Sequence, residues 1–174
     1  MTKLVDSKDP ILYKPTEPFD FDNPQVPIEE LEEAFKSCFY GKNWALGVSA
    51  NQLGYPYSVF AILNHQTRDV GMIFNPKIVD ESEEKCYIEE GCLSFPGLFI
   101  KIKRPESIRL RWTNKFNEPE ASRFTGMTAR VIQHEYDHIN GIDFLKRATR
   151  YHKQQALKQR VKINKARDRI GAVV

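Results

Sequence analysis

The spacing of hydrophobic residues along the chain predicts an extended start followed by helices and strands. Residues 1–27 contain five prolines and little periodicity, which is typical of an extended segment lying on the surface. From Pro27 to about Tyr40 apolar residues recur at helical spacing, with glutamates in the early turns, where the helix dipole favours anions. The apolar stripe of this N-terminal helix consists of Leu31, Ala34, Phe35 and Cys38.

Strand-like patterns occupy the middle of the chain. The first two segments are rich in Val, Ile and Phe and are separated by a polar turn, whereas the next three alternate as half-buried antiparallel strands do. These segments are Tyr57–Asn64, Gly71–Val79, Leu98–Lys103, Ser107–Trp112 and Glu120–Phe124.

Helical spacing returns after the last of these strands. Thr125 or Thr128 can cap the first helix, and Gly141 can end it in a left-handed conformation. A C-terminal helix is predicted from about Thr149 to Arg167, with only a thin apolar stripe. The apolar positions of the first helix are Met127, Val131, Ile132 and Ile139.

The first of these helices carries the run His134-Glu135-Tyr136-Asp137-His138, which has the spacing of a metal site. Histidines four residues apart lie on one helix face, one turn apart, so both imidazoles can bind one metal ion. A glutamate directly after the first histidine can take a proton from a metal-bound water. Histidines buried in a core for structural reasons can have the same spacing, so this run alone leaves both interpretations open.

A third protein ligand is required, and two cysteines compete for the role. Cys92 follows a glycine close after a probable strand, whereas Cys86 lies between Lys85 and Tyr87 in a pattern typical of a strand interior. As a thiolate, Cys92 would complete a set of one sulfur and two nitrogens, with one position open for water. We therefore favour Cys92.

Composition favours one globular domain over residues 1–174. Hydrophobic residues make up 41% of the chain and charged residues 28%, and no run of about 18 apolar residues could span a membrane. A signal peptide is not expected at the N-terminus, and the three cysteines cannot all pair, which favours a reducing, cytoplasmic location. We predict an α+β fold with antiparallel strands packed around a central metal-binding HExxH helix, an N-terminal helix and a C-terminal helix.

The charges separate a body from a basic arm. Residues 146–174 contain ten Lys or Arg and one acid, for a net charge of +9, whereas the remainder of the chain carries −6. Such an arm indicates an anionic partner such as RNA, with a merely solvated helix face as an equal alternative.

Three separated stretches resemble the motifs of the peptide deformylase family, metallohydrolases that remove the formyl group from the N-terminal methionine of new polypeptides. Residues 45–52 are similar to the small-residue strand G-x-G-x-A-A-x-Q, residues 90–94 match E-G-C-L-S, and residues 133–138 match Q-H-E-x-D-H. The resemblance extends from about Pro10 to about Lys162. Family membership implies a cytoplasmic enzyme, or one in an organelle or in the host cytoplasm of a virus.

The first motif departs from the family pattern at two positions. Ala45 replaces the first glycine and Ser49 replaces an alanine, and either change could narrow the substrate pocket or alter its backbone. The segment Phe39–Trp44 directly before it is also unusual. These departures bear on substrate preference and rate more than on the reaction.

The resemblance implies a role for each matching residue. Glu135 would act as general base and then as acid, while Gln52 and the backbone N–H of Leu93 would hold the developing oxyanion. Glu90 would pair with Arg104 and brace the cysteine loop. The ligands of one divalent metal ion, Fe(II) in the cell and replaceable by zinc, nickel or cobalt, would be Cys92, His134 and His138.

The resemblance also implies partners. N-formyl-methionyl nascent peptides would add as a strand along the Leu46–Val48 edge, and the basic C-terminal arm would dock on the ribosome; neither a membrane nor DNA is expected as a partner. The substrate-binding residues would be Leu46, Gly47, Val48, Gly91, Leu93, Met127 and Val131.

Two alternatives remain. His134 to Gly141 fits the start of the longer metzincin protease pattern, but Phe144 stands where the third histidine belongs and no methionine follows Met127. The other alternative is a deformylase-like protein that binds the ribosome or RNA through its basic arm, with weak or no catalysis.

Overall fold

The computed structural model describes residues 3–40, 45–64 and 66–171, with side chains described as far as residue 165. The unusual segment before the first motif falls largely outside these ranges, because Gly41–Trp44 is not described. No helix in the described ranges is long and apolar enough to cross a membrane.

The helices follow the predicted order, with one short addition. The predicted N-terminal helix is confirmed, since Pro27 directly precedes its first turn. Gly141 adopts the left-handed conformation just after the second helix, with φ 69°, whereas the Thr125 side chain makes no capping hydrogen bond. The α-helices are α1 (Ile28–Phe39), α2 (Gly126–Ile139), α3 (Phe144–Arg147) and α4 (Arg150–Gly171).

The described strands form two antiparallel sheets. The larger sheet has the order β1-β2-β3-β6-β7, and the smaller one pairs β4 with β5. The strands of the larger sheet are β1 (Gly47–Ser49), β2 (Val59–Leu63), β3 (Val70–Glu81), β6 (Ser107–Thr113) and β7 (Pro119–Thr125). The smaller sheet consists of β4 (Lys85–Gly91) and β5 (Phe99–Pro105).

The larger sheet is covered by different helices on its two faces. Successive side chains of a strand point to opposite faces, and β2 is buried on both. Val59 packs in the core that contains the stripe of α1, whereas its neighbour Phe60 packs with Ala129 and Ile132 of α2.

A further core joins the smaller sheet to the last two helices. It links β5 to α3 and α4 through Ile100, Ile102, Phe144 and Ala156. The predicted α+β class is confirmed.

Local predictions were wrong in three places. β7 is largely exposed rather than half-buried, because only Phe124 on this strand is partly covered. The N-terminal segment does not simply lie on the surface, since its side chains Leu12 and Phe19 are buried. Neither α3 nor the 3-10 turns at Pro10–Tyr13 and Ala50–Leu53 were predicted, because each is too short to show a period in the sequence.

Candidate metal centre and active site

A cavity of about 330 Å³ opens between β1, the β4–β5 hairpin and α2. Leu46 and Met127, both partly exposed, contribute apolar surface to it. Val48, one of the residues implied to bind substrate, does not line it; its side chain is fully buried in the α1 core, so only its backbone could meet a substrate. The other implied substrate-binding residues all line the cavity: Leu46, Gly47, Gly91, Leu93, Met127 and Val131.

Three side chains that can bind a metal meet beside this cavity. The ligand atoms of Cys92, His134 and His138 all lie within 4.8 Å of one another. The Cys92 Sγ atom is 3.2 Å from His138 Nε2. Metal bonds of about 2.0–2.3 Å in a tetrahedral site place neighbouring ligand atoms about 3.6 Å apart, so this thiol and these two imidazoles fit a single divalent ion. Cys86, the competing cysteine, instead lies 3.4 Å from an Arg130 nitrogen.

Glu90 contacts the ring of His134 and fixes its orientation. His134 Nδ1 and Glu90 Oε2 are 2.9 Å apart, which leaves the other ring nitrogen of His134 for the metal. Glu90 also accepts hydrogen bonds from Arg104 at 2.7 and 3.0 Å. The pairing implied for Glu90 and Arg104 is therefore present and joins the end of β4 to β5, while the contact with His134 joins β4 to α2.

Arginine residues extend this contact into a buried charge network. Arg104 also donates to Asp137 Oδ2 at 2.6 Å, and Arg147 of α3 donates to the same oxygen at 3.0 Å. Arg130 donates to Glu90 Oε1 at 2.9 Å and to the carbonyl of Ile102. The sequence interpretation did not include Arg130, and it assigned Arg147 only to the basic arm, whereas the structure pairs Arg147 with Asp137.

Glu135 follows His134 on α2, and its carboxylate lines the cavity. The side chain is buried, yet Oε2 has no hydrogen-bond partner among the described residues. β1 approaches it closely, because a Cβ built on Gly47 would be 2.8 Å from Glu135 Oε1 and 2.6 Å from Val131 Cγ1. The absence of a side chain at Gly47 therefore leaves room for the carboxylate of Glu135.

The resemblance implies that Glu135 is the general base, so we expect Gly47→Ala to lower the turnover by up to roughly 100-fold, because a displacement of about 1 Å in a reacting group can have that effect. Gly71→Ala is the matched control, since its Cβ would meet Ile62 at an ordinary 3.7 Å. Steady-state rates of both variants, with their metal content, check this prediction. Equal rates would contradict it.

Gln52 is buried, and the orientation of its amide is fixed by Ser49. Gln52 Oε1 accepts from the Ser49 backbone N–H at 3.0 Å and lies 3.1 Å from the Ser49 hydroxyl. Its Nε2 donates to Ser94 Oγ at 3.0 Å and lies 3.6 Å from Cys92 Sγ. The amide N–H group therefore faces the metal group. Of the two departures from the family pattern, Ala45 lines the cavity and the fully buried Ser49 does not.

Two glutamates and two histidines of the site have strongly shifted pKa values. Burial raises the pKa of Glu135 to about 7, against the opposing charge of His134. Burial alone would raise the pKa of Glu90, but hydrogen bonds from His134 and Arg104 lower it to about 2. Burial would likewise lower the pKa of His134, but its contacts with Cys92 and Glu90 raise it to about 10. The pKa of His138 falls well below its ordinary value, through burial and the charge of His134.

A thiol, two imidazoles and a free buried carboxylate beside an apolar cavity define a mononuclear metallohydrolase. The sequence model of the polypeptide deformylase family matches residues 1–154. The chain is 34% identical to the peptide deformylase of Aquifex aeolicus (strain VF5) over 161 residues, which cover 90% of this chain and 93% of that protein. The chain therefore belongs to the polypeptide deformylase family.

Solved structures agree. A crystal structure of the peptide deformylase of Plasmodium falciparum has a TM-score of 0.78 and 27% identity, covering 94% of this chain and 98% of that one. A Met-Ala-Ser-bound class I type b peptide deformylase from Acinetobacter baumannii has a TM-score of 0.75 and 26% identity, covering 84% and 99%.

These comparisons confirm the predicted function, which is metal-dependent hydrolysis of the formyl group from an N-terminal methionine, and favour it over both alternatives. The family implies a divalent metal ion, and Cys92, His134 and His138 form a group that could hold one. The substrates of this family are formylated N-terminal peptides.

Proposed function

We propose that Cys92, His134 and His138 hold the metal and that Glu135 transfers the proton in deformylation, which makes α2 the central metal-binding helix. The observation that carries this assignment is the free, buried carboxylate oxygen of Glu135 on the residue next to a member of the metal group. When bound, the ion would supply Lewis acidity, which lowers the pKa of water to about 7.

The proton balance follows from the position of Glu135. Its carboxylate takes the proton that water loses on adding to the formyl carbon. The same proton passes to the amide nitrogen as the C–N bond breaks, which gives formic acid and a free N-terminal amine. The acid then loses its proton to the amine, so the products are formate and an N-terminal ammonium group. Glu135 ends the cycle as it began, as a carboxylate.

Gln52 would stabilise the oxyanion that develops on the formyl oxygen. Ser49 holds the amide oxygen, which leaves the Nε2 hydrogens on the side of Cys92. We propose that Nε2 and the backbone N–H of Leu93 donate to the oxyanion. One such donor contributes roughly 10²–10³ in rate.

The substrate would bind with its methionine side chain in the cavity and its backbone along β1. Leu46, Leu93, Met127 and Val131 provide the apolar lining that a thioether side chain needs. β1 is the first strand of its sheet and pairs with β2 on one side, so its other edge suits strand addition. The bound Met-Ala-Ser of the Acinetobacter baumannii structure supports a peptide ligand of this kind.

Formate release tests the proposed function directly. Fe(II)-loaded protein, kept free of oxygen, is incubated with a formyl-methionyl peptide and with the matching acetyl-methionyl peptide. We expect formate from the first and no acetate from the second. Folded, metal-filled protein that releases no formate would instead favour the non-catalytic alternative, with Ala45 as the first residue to revert to glycine.

We propose Fe(II) as the physiological ion, with zinc, nickel or cobalt as replacements, because thiolate and imidazole ligands suit all of them. Cys92→Ala should weaken metal binding by more than about 100-fold, since even changes outside the ligand set lower metal affinity 10–100-fold. Equilibrium dialysis with Ni(II) measures this, and Cys86→Ala is the matched control. Tight binding in Cys92→Ala would revive the metalloprotease alternative.

We propose that residues 1–174 act as one catalytic domain in the cytoplasm, or in an equivalent organellar or host compartment, and that 146–174 form a basic arm that docks on the ribosome. Lys158, Lys162 and Lys165 of α4 are exposed, which supports contact with an anionic surface. Ala156, by contrast, is buried against β5, so the start of the arm packs on the body. Arg167 and Arg169 of the arm lie beyond the described side chains.

Charge reversal tests the arm without disturbing the body. Replacing Lys158, Lys162 and Lys165 with glutamate should abolish cosedimentation with ribosomes, because phosphate contacts dominate such binding and depend steeply on salt. The same change at the exposed Lys3, Lys8 and Lys77 is the control. Unchanged cosedimentation of the arm variant would contradict the proposal, and both variants should keep full formate release.

A further inference from the structure

A second cavity, of about 240 Å³, lies between the β4–β5 hairpin and α4. It adjoins the first cavity, because Glu89 and Phe99 line both. Phe99 is 56% exposed, and a Cβ built on Gly91 would be only 2.7 Å from its ring. The Phe99 ring therefore stands at the boundary between the metal-containing cavity and this second one, which we call the downstream groove.

The far wall of the downstream groove is the first part of α4. Gln155 and Gln159 are four residues apart, so both project from the same helix face, and both are exposed. Ala156 beside them is buried and holds this part of the helix on β5. Each glutamine amide offers a hydrogen-bond donor and an acceptor, which are the two groups that a peptide backbone requires.

The charges of the groove favour a polypeptide over a nucleic acid. Glu89 and Lys101 are cross-strand partners in the hairpin, so their opposite charges offset each other. A phosphate backbone would need an excess of basic side chains, whereas this lining has one acid for its one lysine. Phe99 and Tyr151 add exposed aromatic surface that side chains of an extended peptide can cover.

We propose that the downstream groove binds the part of the substrate polypeptide that follows its first residues; this inference rests on the proposed function. A strand rises about 3.3 Å per residue, so Glu89 lies about 10 Å along the chain from Cys92, a span that about three extended substrate residues cover. Residues from about the fourth onward then reach the groove. The site thus distinguishes long polypeptides from short formylated peptides.

The test compares substrates of two lengths. In the wild-type protein, a formyl-methionyl hexapeptide should have kcat/KM about tenfold higher than a formyl-methionyl tripeptide, which ends before the groove; this is the effect of one or two added hydrogen bonds. The double variant Gln155→Ala/Gln159→Ala should lose this advantage and keep the rate on the tripeptide. Gln154→Ala, an exposed amide outside the groove, should keep the advantage.

Several outcomes would overturn the proposal. These are equal kcat/KM for both lengths in the wild-type protein, and a length advantage that survives in the double variant. In a third outcome, the double variant no longer binds a short oligoribonucleotide but still prefers the longer peptide. That result would assign the groove to nucleic acid. Calorimetric affinities of the deformylated hexapeptide and tripeptide repeat the comparison without turnover. Failure of the proposed function, seen as no formate from either formylated peptide, is thereby distinguished from failure of the groove.

Discussion

Replacing Glu135 with glutamine is expected to lower formate release by about 10²–10⁴-fold, the contribution of a positioned general base, while the metal stays bound. Glutamine keeps the size of the side chain but cannot take up a proton. Because Glu135 Oε2 has no hydrogen-bond partner among the described residues, the change breaks no contact of that oxygen within the protein. Steady-state kinetics and metal analysis of the same preparation measure the effect.

The matched control for this prediction is Glu106→Gln, an exposed acid outside the cavity, which should leave the rate unchanged. A Glu135→Gln protein that holds its metal and works at the wild-type rate would show that another group transfers the proton. Loss of metal together with the rate would instead indicate a role for Glu135 in the geometry of the metal group.

Replacing Arg104 with methionine should lower the free energy of unfolding by about 3 kcal/mol or more, the effect of leaving buried charges without their partner. Arg104 is 5% exposed and contacts the carboxylates of Glu90 and Asp137. Methionine fills a similar volume, so the loss reports the charge rather than a void. Arg130 and Arg147 remain beside the two acids, which keeps the expected loss at the lower end of the range for buried pairs.

Urea denaturation of the metal-loaded protein measures this loss, provided that the slope of the transition is unchanged. Arg123→Met is the matched control, because Arg123 pairs with Asp80 at the surface and such pairs contribute about 0–1 kcal/mol. If both arginine variants lose the same small amount, the buried network does not stabilise the fold in the way proposed.

The elements that the sequence predicted well are those determined by neighbouring residues. The stripe of α1, the antiparallel strands β6 and β7 and the left-handed Gly141 after α2 each follow from short-range spacing or turn chemistry. The metal group also has short-range signals, since two of its members lie on one turn of α2 and the third follows a glycine.

What the sequence could not predict depends on contacts between distant segments. β3 pairs with β6 although β4 and β5 lie between them in the chain, and nothing local determines that order. The side chain of Arg130 is only 3% exposed, although an arginine on a helix is usually solvated, because its partners come from β4 and β5. Arg130 gains partners for its charge only when the β4–β5 hairpin packs against α2.

The contact between Glu90 and His134 has a consequence for how the protein acquires its ion. Glu90, Arg104, Asp137 and Arg147 come from four separate elements, and their contacts with one another and with His134 are made by protein groups alone. Zinc fingers, by contrast, are unfolded without their metal. We therefore expect the folded chain to keep this arrangement when the ion is removed, so that one ion can replace another without refolding. The ion found in a purified sample would then depend on which metals were available to the protein, while the fold of the chain is unchanged.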